Sequence, residues 1–116
     1  MNLPSFLTDE LALRLLDNGR LAQGVDFDAY PVVKLFAPDA NATWLLTELD
    51  PNEPDRAFGL CDLGTGDPAL GYVSLAELQT VRGRLGLPIE RDLYFRPDRP
   101  LSEYARLARA EGRIVT

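Results

Sequence analysis

The stretch Thr43–Glu77, TWLLTELDPNEPDRAFGLCDLGTGDPALGYVSLAE, decides the fold, because it interleaves strand-like apolar runs with acidic, glycine- and proline-rich turns. Ala42 to Leu49 and Arg56 to Leu63 read as two strands. Asp50-Pro51-Asn52-Glu53-Pro54-Asp55 between them carries two prolines, which cannot donate to a strand ladder, and reads as a loop. Gly64-Thr65-Gly66-Asp67-Pro68 turns the chain, and Gly71-Tyr72-Val73 forms a short strand running into a helix whose capping box is Ser74 with Glu77.

Upstream, Val32 to Phe36 is a β-branched and aromatic run that Ala37-Pro38-Asp39-Ala40-Asn41 ends as a turn, so it reads as the first strand of the set. VDFDAYP before it looks irregular. A first helix is expected from about Asp9 to Asp17, with Thr8 as N-cap, Leu11, Leu15 and Leu16 on one side, and Asn18-Gly19 as a left-handed C-cap. Downstream, Leu75, Leu78, Val81 and Leu85 share a helical face directed at the sheet, and Gly83, Gly86 and Pro88 close that helix. Asp92 to Phe95 reads as an edge strand and Arg96 to Pro100 as a rigid turn. Ser102 is the expected cap of a last helix with Tyr104, Leu107 and Ala108 inward and Gly112 at its end.

Consecutive strands joined by short turns favour an α+β fold: an N-terminal helix, an antiparallel meander of three to four strands, and two C-terminal helices packed on the sheet, with the helices gathered on one face. At 116 residues the chain fits one domain, with a helical and irregular lead-in over 1–30, the sheet over 31–74 and a helical part over 75–116. The 46% apolar fraction is ample for one hydrophobic core.

Composition removes many chemistries. Histidine is absent, which excludes Ser-His-Asp and Cys-His catalysis and every histidine-containing metal site. The single lysine, Lys34, follows no glycine-rich phosphate loop. Gly64-Thr65-Gly66 is a lone GxG with Ala69 where a dinucleotide fingerprint needs its third glycine. Ser74 and Ser102 are explained as caps, and Cys61 as a small buried hydrophobe. One cysteine forms no internal disulfide, which suits a reducing cytoplasm. The opening MNLPSFLTDELALRLL has no basic n-region, and Asp9 and Glu10 interrupt its apolar residues, so neither a signal peptide nor a membrane span is expected.

Charge is spread unevenly. Residues 1–80 hold 13 acidic and 4 basic side chains, net −9, and residues 81–116 hold 5 acidic and 8 basic, net +3, within a total of −6. An acidic bulk repels nucleic acid and attracts basic surfaces. Glu48, Asp50, Glu53, Asp55 and Asp62 are the candidate partner-binding residues, and together with Asp67 they converge if the two central strands pair. The expected partner is a host protein with a basic surface that handles nucleic acid. No catalytic residue, metal ligand or cofactor is assigned, and direct nucleic-acid contact through Arg106, Arg109 and Arg113 is disfavoured by the acidic bulk. The competing reading is a ligand- or metal-binding pocket, or an enzyme, using carboxylates such as Glu48 and Asp62 with Asp67 beside the Gly64–Pro68 turn. Trp44 and Tyr72 are aromatic candidates for a binding surface, with the core as the expected place.

The runs LLTELDP (45–51), AFGLCDLG (57–64), LGYVSLAEL (70–78), LGLPIERDL (85–93) and PLSEYA (100–105) together resemble an uncharacterised bacterial domain-of-unknown-function family of small proteins. The likeness covers Pro31 to Val115, with Thr65 and Asp67 departing from the family pattern, which weakens a site built on Asp67. The resemblance implies carriage on plasmids and other mobile elements, in neighbourhoods with antirestriction and partition-type genes, and hence an accessory or anti-defence role. It implies no activity and no catalytic residue.

Overall fold

The computed structural model describes residues 3–23 and 27–116. Val25 and Asp26 of the irregular VDFDAYP lead-in lie outside the described residues. The elements are α1 (Asp9–Ala22), β1 (Val33–Phe36), β2 (Thr43–Asp50), β3 (Glu53–Asp62), β4 (Ala69–Ser74), α2 (Leu75–Thr80), β5 (Glu90–Arg91) and α3 (Leu101–Glu111). The strands form one antiparallel sheet in the order β4-β3-β2-β1-β5, so the expected α+β meander is present with one strand more than the upper count.

The central hairpin is tighter than its sequence suggests. Only Pro51 and Asn52 turn, and β3 begins at Glu53, so Glu53, Pro54 and Asp55 are strand rather than loop. Pro54 is tolerated because the β2–β3 register jumps from Leu49↔Ala57 to Asp50↔Glu53, while β4 joins β3 only from Arg56 onward. A second irregularity leaves Thr47 between the Leu46↔Gly59 and Glu48↔Phe58 pairs. That extra residue resets the side-chain alternation, and Leu46 and Leu49, three positions apart, share one cluster.

Both faces of the sheet are covered. Trp44, Leu46, Leu49, Val33, Leu35 and Ala57 pack against Leu15 of α1 and Leu75 and Leu78 of α2. On the other face Leu45 and Leu60 pack against Leu101, Tyr104, Ala105 and Ala108 of α3 and Ile114. The helices are therefore not gathered on one face. Three consecutive buried residues in β2, Trp44-Leu45-Leu46, place bulky apolar side chains on opposite faces, and each face needs a lid to leave water.

α1 runs one turn further than expected. Thr8 caps it, its Oγ1 accepting from the Leu11 amide at 3.1 Å, but Asn18 and Gly19 lie inside the helix. Asn18 donates through Nδ2 to the Thr47 carbonyl at 2.9 Å, and Gly19 is buried against the Leu49 carbonyl, where a Cβ would overlap the oxygen. Gly19 is thus a close-approach glycine rather than a C-cap.

α2 stops at Thr80, with Val81 already extended. The Asp39 carboxylate takes the Leu85 amide at 2.6 Å and the Leu87 amide at 3.4 Å, folding the next segment as a loop and leaving Leu85 80% exposed. Val81 stays at the core margin, and Leu85 leaves the shared helical face. The edge strand is Glu90–Arg91, paired with Phe36 and Leu35, two residues earlier than Asp92–Phe95. α3 begins with Pro100 as N-cap, and Ser102, one residue inside, is not a cap. The Asp28 carboxylate instead accepts from both the Ser102 amide, at 3.1 Å, and the Ser102 hydroxyl. Gly112 ends α3 in the left-handed region at φ 75°.

Candidate interaction surface

The sequence predicts that six carboxylates converge, Asp67 among them, and the register divides them. Asp62 pairs with Thr43, whereas Glu48 pairs with Phe58, five residues along β2 or roughly 15 Å at strand rise. Asp62 is buried, its Oδ1 accepting from the Gly64 amide and its Oδ2 from the Ile114 amide, each at 2.9 Å. Its carboxylate holds the turn after β3 and the segment after α3 together, so Asp62 is structural.

Asp55 is also engaged within the chain. Its Oδ1 accepts from the Ala76 amide at 2.9 Å and its Oδ2 from the Ser74 hydroxyl at 2.6 Å, while Ser74 Oγ accepts from the Glu77 amide at 3.2 Å. The expected Ser74 cap is present, and Asp55 satisfies a further orphan N–H of the first turn of α2.

Glu48, Asp50 and Glu53 remain together at the β2–β3 end of the sheet, where Asp50 pairs with Glu53. Asp50 accepts from the Asn52 amide at 2.9 Å, an Asx turn that tightens the hairpin. Among the described residues none of these three makes an ion pair. Burial, with the Asp50 charge adding to it, pushes the Glu48 carboxyl above its ordinary range. Glu48, Asp50, Pro51, Asn52, Gly19 and Tyr72 line a hollow of about 220 Å³.

Tyr72 was expected in the core with Trp44. Trp44 is buried, but Tyr72 on β4 is 56% exposed, 5.0 Å from the Phe58 ring centroid in an edge-on arrangement, with the Arg56 guanidinium 3.9 Å above its ring. Glu48, Phe58 and Tyr72 form one row across β2, β3 and β4 on the face that carries α3. The alternation in Ala69–Ser74, which sets Leu70 and Tyr72 on one side, is the signal that would have found this tyrosine.

At the other end of the α3 face a hollow of about 310 Å³ is lined by Lys34, Asp92, Arg96, Asp98, Arg99 and Tyr104 among others. Its charges are largely spoken for: Lys34 lies 3.5 Å from Asp92, and Arg99 donates to both Asp98 oxygens at 2.7 and 2.9 Å. Those bonds, with the Tyr104 hydroxyl donating at 2.9 Å, hold the Asp98 carboxyl down at about 2.

The residues of the pocket reading are divided: a hollow of about 460 Å³ is lined by Asp62, Gly64 and Gly66 with Thr43 and Arg113, and neither Glu48 nor Asp67 belongs to it. Among the described residues no group of three or more Asp, Glu and Cys side chains is placed to hold a metal ion. Glu48 lies at the far end of the sheet from the Gly64–Pro68 turn, and Asp67 is exposed. Cys61 is part-buried, and burial pushes its thiol up, away from the reactive thiolate.

The family model described as "Protein of unknown function (DUF2958)" matches residues 6–115. The chain belongs to this family. Membership extends the resemblance back from Pro31 to Phe6, so α1, which docks on β2, is part of the family's domain. No curated protein and no solved structure matches this chain. No helix among the described residues is long and apolar enough to cross a membrane.

Proposed function

We propose that this DUF2958 domain is a non-enzymatic interaction module whose acidic end occupies the basic surface of a nucleic-acid-handling protein. The observation that carries the reading is the trio Glu48, Asp50 and Glu53, gathered at one end of the sheet with no ion pair among the described residues. Carboxylates left without cations inside the fold attract them from outside, and the net −9 of residues 1–80 extends that field over the rest of the surface. Asp55 and Asp62, which cap and pin the fold, drop out of the partner-binding set. Within this reading the protein works in the cytoplasm as an accessory factor of a plasmid or other mobile element, and the surface it occupies belongs to a host defence protein. That setting rests on the family resemblance.

Affinity capture from host lysate, with and without nuclease and washed at low and high salt, tests the proposal. The comparison protein carries Glu48→Gln, Asp50→Asn and Glu53→Lys, which removes three negative charges and adds one positive. Asn at position 50 keeps an acceptor for the Asn52 amide, and Asp55 stays intact so that α2 keeps its cap. A nuclease-resistant basic protein, released by salt and not captured by the variant, is the expected result. Equal capture by the variant overturns it.

A further inference from the structure

A second hollow, of about 310 Å³, opens beside Glu48 and Phe58 and reaches the start of α3, a size at the lower end of small-ligand pockets. Phe27, Phe58, Leu70 and Leu101 are its apolar walls. Phe27 and Leu70 stay 39% and 40% exposed, so folding leaves this lining open to water. Among the described residues four polar side chains also line it, and three of them are committed within the chain. Thr47 Oγ1 donates to the Phe58 carbonyl at 3.3 Å, and the two oxygens of Asp28 accept from the Ser102 amide and hydroxyl. Glu48 is the fourth, half-buried and without an ion pair among the described residues.

An uncompensated carboxylate among apolar walls destabilises the folded chain, and a cation that enters the hollow removes the penalty. The lining selects the kind of cation. A metal ion needs several oxygen ligands, and here a single carboxylate is free. An ammonium is strongly hydrated and loses that water on entering an apolar hollow. A guanidinium is planar and more weakly hydrated, lies flat against an aromatic ring, and meets a carboxylate through two parallel N–H bonds. Stacking of this kind already occurs in the same part of the sheet, where the Arg56 guanidinium lies 3.9 Å above the Tyr72 ring. Held there, Arg56 makes no ion pair with Glu48. We propose that the hollow is a guanidinium site, filled by an arginine side chain of the basic partner that pairs with the Glu48 carboxylate and packs on the Phe58 ring. This assignment rests on the partner reading above and names the group of the partner that is recognised.

NMR titration of the isotope-labelled chain with N-acetylarginine amide at millimolar concentration tests it, with the lysine amide and the uncharged citrulline amide as comparison probes. Saturable shifts are expected at the amides of Glu48, Phe58 and Leu70. The arginine probe should bind at least about threefold more tightly than the lysine probe, and about tenfold more weakly to Glu48→Gln than to wild type. Asp67→Asn, which removes an exposed charge remote from the hollow, should bind it like wild type, and thermal melts of both variants are the folding control. The guanidinium site is overturned by titrations without saturation, by equal binding of the lysine or citrulline probe, by undiminished binding to Glu48→Gln, or by an equal loss in Asp67→Asn. Lysate capture keeps the two readings separable. A basic protein retained in full by Glu48→Gln but lost by the triple variant overturns the hollow and leaves the partner reading standing. Saturable arginine binding with no captured protein overturns the partner reading instead, and the hollow then holds its guanidinium as a free ligand.

Discussion

Replacing Gly19 by alanine sets two effects of known sign against each other. In an ordinary exposed helix the change stabilises by about 1 kcal/mol, because alanine loses less backbone freedom. Here the added methyl lies well inside 3.0 Å of the Leu49 carbonyl oxygen, 3.1 Å from its carbon and 3.2 Å from Pro51 Cδ. Two of those neighbours are backbone atoms of a central strand, so the helix must lift rather than the strand yield. Lifting it stretches the 2.9 Å bond from Asn18 to the Thr47 carbonyl and loosens Leu15, which is fully buried in the same interface. Overpacking of this kind costs about 3 kcal/mol. The net expectation is a loss of about 2 kcal/mol, or roughly 8 °C in melting temperature for a domain of this size. Urea unfolding followed by fluorescence of the one tryptophan, Trp44, which is 3% exposed in this core, measures it directly. Gly71→Ala, with open space at its Cβ, is the matched control and should not lower stability. A Gly19→Ala protein with a midpoint at or above that of wild type, and an unchanged m-value, would refute the close-approach argument.

Asp62→Asn replaces a carboxylate that accepts from the Gly64 and Ile114 amides with a group that turns an N–H toward one of them. It should cost about 2 kcal/mol in urea unfolding and speed hydrogen exchange at Ile114; unchanged stability would show that Asp62 does not pin that segment. Glu48 has its folded-state pKa raised, chiefly by burial, so its protonated form is favoured by folding and its contribution declines as pH rises through that raised value. Glu48→Gln imitates the protonated form. The variant should melt higher than wild type at neutral pH, with the difference vanishing below the ordinary value of 4.5, and no gain at neutral pH would contradict the burial argument.

Much of the architecture was legible because it is written locally. The apolar and β-branched runs in Val33–Phe36 and Thr43–Asp50, the Thr8 and Ser74 caps, and Gly112 at the end of α3 depend on residues within about one turn or one pleat of each other. Trp44-Leu45-Leu46 also carried the notice that both faces of β2 would be buried, so the placing of α3 opposite α1 and α2 was open to reading. The candidate site was less accessible. Asp50 and Glu53 are close because a two-residue turn joins them, and that turn is hidden by two prolines that look like a longer loop. Tyr72 joins them only through the register of β3 with β4.

The sequence by itself determined an α+β meander of acidic character without histidine chemistry, since strand period, turn residues and composition need no knowledge of distant contacts. Tertiary structure alone decided the use made of individual polar residues. Asp55 caps a helix 21 residues away, Asp28 holds Ser102 across 74 residues, and Asp62 reaches Ile114 across 52. A carboxylate has the same chemistry in a cap, in a pinned turn and on a free surface. Which of these it becomes depends on whether folding brings an unsatisfied N–H within about 3 Å of it, and that distance is set by the packing of the whole chain.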